Sequence, residues 1–344
     1  MPRRSTLKEI AAALDLSIAT VSRSLAGYED IAEKTRERVQ QKAREMGYVP
    51  NVAGRMLVSG RSGFVGLVLK VRGPDFVDAY LGATVTGLSE ALVAKGTDLM
   101  IATAPEGQDE LEVLQRLVQS GRVDGIILTR IAEDDARIRF LQERNLPFVA
   151  LGRTLAPLQP HAWIDVAGED AFGEAFQLLY GLGHRHFGLV TITDRMTFAR
   201  NREAGLARAM AAAADPAVRL TSIAAPRFDV EGHRSGIAGL LSGPDRPTAV
   251  IGLFDELALA VVQAAAQLGL SIPDDLSVIG FDNVPAAAYA VPGLTTFEPG
   301  NRDIGRIAAT MLLDLIEVRP RTPPTLLRTA SLVQRGSHGR APQK

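Results

Sequence analysis

Apolar positions over the first 48 residues recur at three- and four-residue spacing, the mark of helices that bury one face. Leu7, Ile10, Ala11 and Leu14 predict a first helix, interrupted at Asp15-Leu16-Ser17. The hydroxyl of Ser17 suits a helix N-cap, and Thr20, Val21 and Leu25 follow it on one face as far as Gly27. A third helix is predicted from about Thr35 to Met46, with Val39, Ala43 and Met46 aligned and a stop at Gly47. Two short helices joined by about three to four residues form a helix-turn-helix.

From Phe64 the pattern changes to short apolar runs alternating with amphipathic segments. Strands are predicted at 64–70, 98–102, 124–129, 147–151, 187–192, 248–252 and 276–280. Helices are predicted at 81–95, 108–120, 168–182, 198–214, 232–241 and 255–269. Buried strands alternating with helices imply doubly wound parallel sheets. The strands are too many for one sheet, so the expectation is two α/β subdomains, 62–160 and 161–291, divided near Pro157–Pro160. A helix over 300–318 and a last strand then cross back, giving 292–320 to the first subdomain and 321–335 to the second. Two such halves leave a cleft at the carboxyl ends of their strands, where small ligands bind. The end of the chain, 336–344, has no apolar repeat and is expected to be disordered.

Composition narrows the functional classes. The 344 residues contain no cysteine, which excludes a thiol nucleophile and a Cys-ligated zinc. The five histidines are scattered, and His184-x-His186 lacks a third ligand. No apolar run reaches a membrane span and no signal-peptide core follows the basic start, so a cytoplasmic protein is expected, with nucleoid association through DNA. The net charge of −1 conceals an asymmetry: residues 1–61 hold 11 basic and seven acidic side chains, leaving the body at −5. A basic head on an acidic body points to a polyanionic partner at one end. Gly181-x-Gly183 lacks the third glycine of a dinucleotide fingerprint, and no G-x-S-x-G elbow or phosphate-binding loop is present. An enzyme is therefore not expected, and no cofactor is implied.

The stretches TLKEIAAALDLSIATVSRSLAG (6–27) and KTRERVQQKAREMGYVPN (34–51) closely resemble the DNA-binding region of LacI/GalR-family transcriptional regulators. The resemblance continues through LGHRHFGLV (182–190), RPTAVIGLFDELALA (246–260), GLSIPDDLSVIGFDN (269–283) and PGLTTFEP (292–299). It implies an all-α head, a hinge helix over 49–61 and a core like periplasmic sugar-binding proteins. The implied function is a homodimeric repressor of sugar-utilisation genes, released from a palindromic double-stranded operator by a mono- or disaccharide. A co-repressed or activating regulator of the same family is the alternative reading, and a sugar-binding protein without DNA function is the reading from another class.

A recognition helix presents its N-terminal residues to base edges in the major groove. Here these are Ile18 and Ala19, suited to thymine methyls, with Arg23 one turn on, suited to guanine O6 and N7. Ser17, Thr20, Ser22, Lys34, Thr35 and Arg36 are candidates for phosphate contacts. In the hinge, Asn51 and Arg55 are further DNA-contacting candidates, and the resemblance makes Leu57 the residue that wedges into the minor groove. Two positions depart from the family: Gly54 replaces a usual alanine and weakens the hinge helix, and Ala32 replaces a serine that would cap the third helix.

In the core, the resemblance places Asp282 and Arg202 on sugar hydroxyls, a carboxylate accepting protons and a guanidinium donating them. Asp78 and Tyr80 follow the first strand, and Phe254-Asp255 stands where an Asn-Asp pair is usual. Phe254 would stack on a sugar ring, and Asp255 either touches ligand or caps the helix it begins. Arg153 is a further candidate, and Phe228 and Trp163 could stack, Trp163 alternatively lying in the core. Asp282 is expected to repel anions, favouring polyols. The absence of a leucine heptad tail implies assembly that stops at the dimer.

Overall fold

A computed structural model describes residues 5–25, 28, 30–48, 60–70, 79–105, 107–155, 159–318 and 320–343. It divides into two units, Met1–Ser62 and Gly63–Lys344. In the first, α1 (Leu7–Leu14), α2 (Ile18–Leu25) and α3 (Glu33–Glu45) enclose a small core of Ile10, Ala11, Val21, Val39 and Ala43. Thr6 caps α1 in a reciprocal box, accepting the Glu9 N–H while the Glu9 carboxylate accepts the Thr6 N–H. Ser17 begins α2, its Oγ accepting the Thr20 N–H at 2.9 Å. Ala32 precedes α3 without a side-chain cap, as its methyl side chain dictates, and a missing cap costs about 1 kcal/mol.

The second unit contains two parallel sheets. The first runs β11-β5-β4-β3-β1-β2 in order, built from β1 (Phe64–Lys70), β2 (Asp98–Ala104), β3 (Gly125–Leu128), β4 (Phe148–Leu151), β5 (Ala162–Val166) and β11 (Thr325–Arg328). Helices α4 (Ala79–Val93), α5 (Glu110–Gln119) and α6 (Ala136–Glu143) connect its strands. Asp135 caps α6 by accepting the Arg137 N–H at 3.0 Å. The second sheet runs β7-β6-β8-β9, from β6 (His186–Ile192), β7 (Arg219–Ala225), β8 (Ala249–Gly252) and β9 (Ser277–Ile279). It is wound with α7 (Gly168–Gly181), α8 (Thr197–Ala213), α9 (Val230–Leu241) and α10 (Asp255–Gln267). A short α11 (Pro285–Tyr289) follows β9, and β10 (Thr296–Glu298) pairs antiparallel with β12 (Ser331–Val333). Fully apolar strands such as β3, β4 and β8 are buried along their whole length, as a sheet covered on both faces requires.

The helix α12 (Asn301–Glu317) belongs to the first subdomain, where Ile304, Ala308, Ala309 and Leu312 join the core of Leu67, Leu81 and Leu88. Its axis comes close to that of α4 because Gly87 and Gly305 lack side chains. A Cβ on either would collide with backbone of the opposite helix, at Arg302 or at Thr84.

The expected subdomain boundaries need three corrections. The first sheet does not end at 160, because β5 pairs with β4 and carries the chain to Val166 before it crosses. The segment expected to cross at 292 stays with the second core through Leu294 and Phe297. The stretch 321–335, expected wholly in the second subdomain, is divided: β11 pairs with β5 in the first sheet, whereas β12 pairs with β10 and packs on the second core. Sheet membership is a matter of tertiary pairing, which apolar periodicity does not encode. The tail beyond 335 is also ordered, as far as residue 343. Ser337 is buried, donating to the Val278 carbonyl at 2.6 Å and accepting the Thr295 N–H at 2.8 Å, and the Val278 N–H donates to the Ser337 carbonyl at 2.7 Å. These bonds, one between backbones and two through the Ser337 hydroxyl, cover the β9 edge, so the tail needs no apolar repeat to stay in place.

Candidate nucleic-acid interface and ligand cleft

In the head, Ile18 is 49% exposed and Ala19 is also exposed, at the start of α2. Ser17 and Thr20 share a hydroxyl–hydroxyl bond of 2.8 Å. Arg23, in the last turn of α2, forms an exposed ion pair with Asp30 and lies 5.4 Å from the Tyr28 ring centre. Exposed pairs of this type contribute about 0–1 kcal/mol, whereas a bidentate arginine–guanine contact is worth about 1–3 kcal/mol. The ion pair is therefore too weak to lock the Arg23 side chain in place. Ser22 is half-buried and Lys34 is exposed. Thr35 is half-buried, and Arg36 donates to the Tyr28 carbonyl at 3.3 Å and pairs with Glu33. Asn51, Gly54, Arg55 and Leu57 lie outside the described residues, as does Asp78 in the core.

The core holds a cleft between its two subdomains, lined by Tyr80, Arg202, Phe254 and Asp282 among the expected residues. Arg202 projects from α8 into an aromatic surround. Its guanidinium carbon is 3.7 Å from the Phe281 ring centre and 5.1 Å from that of Phe198. It donates to the Leu253 carbonyl at 2.5 Å and approaches the Asp282 carboxylate at 4.0 Å. Burial lowers the pKa of Arg202, and contacts with ring faces partly replace the water it gives up. Asp282 follows β9 in a left-handed conformation, φ 109, its N–H donating to the Phe297 carbonyl at 2.9 Å. Such a φ is strained for a residue with a Cβ and persists where surrounding bonds enforce it. Burial pushes the Asp282 carboxyl up to about 8 against the pull of Arg202, and the Glu256 and Asp255 carboxylates push the same way. This rise weakens the expected repulsion of anions by its charge.

Four expected residues lie elsewhere. Asp255 does not line the cleft and does not cap α10. It is fully buried, accepting the Thr296 hydroxyl at 2.5 Å and the Val284 N–H at 2.8 Å, and so anchors the loop that carries Asp282. Burial raises it to about 7. Arg153 is committed to Asp165 at 2.7 Å and Glu169 at 2.8 Å. Phe228 is outside the lining, with the Arg130 and Arg227 guanidinium carbons 5.8 and 5.7 Å from its ring centre. Trp163 packs on the first subdomain's core, its alternative reading. Phe254 does line the cleft, but the Arg227 guanidinium lies 4.4 Å from its ring centre. The lining also includes Arg130, Thr197, Asn201, Arg227 and Asn301, none of them singled out from the sequence. Their residue types carry no signal of their own, since Arg130 and Arg227 sit in loops and Asn201 in the interior of α8.

His184 and His186 hydrogen-bond to Thr248 and Thr221, and among the described residues no group of three acidic or histidine side chains could hold a metal. No described helix is long and apolar enough to cross a membrane.

An exposed second helix in a helix-turn-helix and a two-subdomain cleft in one chain define a helix-turn-helix protein with an α/β ligand-binding type of core. Residues 6–51 match the bacterial regulatory proteins of the lacI family, and 176–338 match a periplasmic binding protein-like domain. The transcriptional regulator AglR of Rhizobium meliloti is 34% identical, covering 98% of this chain and 95% of its own length. The repressor CytR of Escherichia coli is 29% identical over 97% of this chain and 96% of its own. Among solved structures, a CelR–cellobiose complex superposes with a TM-score of 0.73 at 27% identity, covering 97% of this chain and all of that one (100%). The lac repressor dimer bound to operator and the anti-inducer ONPF shares the fold at a TM-score of 0.82 and 22% identity, over 97% and 99% of the two chains. The chain belongs to the lacI family of bacterial regulatory proteins: it is a DNA-binding transcriptional regulator and not an enzyme.

Proposed function

We propose that this regulator represses sugar-utilisation genes and is released from its operator by a small carbohydrate held in the core cleft. The observation that carries this reading is the Arg202–Asp282 pair, buried against Phe281 and Phe198 in the cleft. A guanidinium and a carboxyl beside aromatic faces suit hydroxyl groups on one side and C–H faces on the other. The CelR–cellobiose relative supports a sugar.

Ile18, Ala19 and Arg23 read bases in the major groove, the hydroxyls and cations of Ser17, Thr20, Ser22, Lys34, Thr35 and Arg36 position the head on phosphates, Asn51 and Arg55 contact DNA from the hinge, and Leu57 acts in the minor groove. Two copies bind a palindrome, consistent with the 85% exposure of Tyr289 and 90% of Val291 on an apolar corner of the second subdomain. Assembly stops there, and the protein works in the cytoplasm on the nucleoid. The effector favours a closed cleft that is incompatible with an ordered hinge, so its differential affinity for the two states sets the response. Operator gel shifts with and without a panel of mono- and disaccharides test this reading. Release by one of them supports it, tighter binding would make the ligand a co-repressor, and indifference to all would remove the carbohydrate.

A further inference from the structure

The two polar groups that dominate the cleft, Arg202 and Asp282, both stand on the second subdomain. The first subdomain contributes a polar side chain of a different kind. Asn301 is the first residue of α12, only 5% exposed, and its Oδ1 is buried without a hydrogen-bond partner. It lines the same cleft as Arg202 and Asp282. An unpaired buried amide oxygen costs roughly a factor of ten to a hundred in stability. Such a group persists where something outside the chain completes it.

The placement of Asn301 is fixed from both sides. Behind it, α12 is locked onto α4 by the close approach at Gly87 and Gly305. Ahead of it, one carboxylate ties its turn to the Asp282 loop. Glu298 accepts the Gly300 N–H at 2.7 Å and the Asn283 side-chain amide at 2.8 Å. Asn283 in turn accepts from Arg335 at 2.7 Å. The orphan oxygen and the Asp282 carboxyl are thus held on opposite subdomains by a short, fully bonded chain.

We propose that Asn301 is an effector-binding residue, whose Oδ1 accepts a hydroxyl proton of the ligand and so joins α12 to Arg202 and Asp282 through the ligand itself. This rests on the carbohydrate reading of the cleft and deepens it. An acceptor that lacks a proton of its own selects ligands rich in hydroxyl donors, and a fully ionised phosphate or carboxylate offers none. It also couples occupancy to closure, because a ligand that bonds Asn301 together with Arg202 and Asp282 engages both subdomains.

The test is isothermal titration of the full-length protein, with Asn301→Leu and Asn301→Ala variants, against glucose, maltose, cellobiose and raffinose. For the sugar that binds the wild type, each variant is expected to lose ten- to a hundredfold in affinity. The ligand-free melting temperature should hold or rise, since the orphan oxygen is gone, and operator affinity without sugar should not change. Wild-type binding retained within twofold in both variants would overturn the role of Asn301 while leaving the carbohydrate reading intact. A melting temperature lowered by several degrees in both would make the amide a structural group and equally overturn it. A wild type that binds none of the four sugars would remove the carbohydrate reading and this inference with it.

Discussion

Asp282→Asn should make the ligand-free core more stable, most strongly at alkaline pH, while removing its response to effector. The carboxyl rises from an ordinary value of 3.8 to about 8 on folding, chiefly through burial. At 1.36 kcal/mol per pKa unit, the native state gives up about 5 kcal/mol at pH 8 and under 2 kcal/mol at pH 5. The sign follows from proton counting: between about pH 4 and 8 the native state holds a proton that the unfolded chain has lost. Stability therefore falls as pH rises through that window. Asparagine keeps the shape without the charge, and burying its amide returns about 1–3 kcal/mol of the gain, leaving a net stabilisation of about 2–4 kcal/mol at pH 8. Arg202 keeps its bond to Leu253 and its ring contacts in the variant. Urea denaturation followed by Trp163, the single tryptophan, reads the core alone. The gain should shrink by about 3 kcal/mol between pH 8 and pH 5, with Asp255, raised to about 7, keeping a residual slope in the variant. A variant no more stable than wild type at pH 8, or an undiminished pH slope, would refute the argument.

Arg23→Ala should reduce discrimination between operator and random duplex by about 1–3 kcal/mol, leaving binding that weakens steeply with salt, as fluorescence anisotropy at several salt concentrations would read. Leu57→Ala should lower operator affinity and DNA curvature together in a circular-permutation assay, and Gly54→Ala should tighten binding by favouring hinge helix. Asp255→Ala strips partners from the Thr296 hydroxyl and the Val284 N–H. A loss of about 2–4 kcal/mol in core stability is expected near pH 4, where the raised carboxyl is protonated in the native state and its removal relieves little, with weaker effector binding as the Asp282 loop loosens, measured by denaturation and calorimetry on the same samples.

Much of this architecture could be read from residue patterns because local signals agreed with the tertiary fold. FVGLVLK is apolar along its length and forms β1 over those seven residues. Thr6, Ser17 and Asp135 act where their side chains direct them, at helix N-termini. The strand β7, RLTSIAA, escapes the pattern because it lies at a sheet edge with most of its residues exposed, so polar residues interrupt the apolar run that marks the central strands. The crossing segments were misassigned for another reason: Thr325–Arg328 and Thr296–Glu298 carry strand character but nothing that names their partners. In the cleft, Arg202 and Asp282 were found through family resemblance. Asp255 was found but given the wrong task, because a carboxylate at a helix start does not reveal that its oxygens reach Thr296 and Val284. Asn301 gave no signal, since asparagine near a helix start is ordinarily a capping residue and its orphaned oxygen exists only in three dimensions.

In the proposed function, one protein reads DNA with its head and a sugar with its core. The most direct measurement is operator affinity by fluorescence anisotropy, with and without the sugar that binds, for wild type and Arg202→Ala. The wild type should lose at least tenfold in operator affinity when sugar is added, and Arg202→Ala should bind operator equally well with sugar or without it. A wild type whose operator affinity no sugar changes, or an Arg202→Ala protein that retains the full response, would contradict the account.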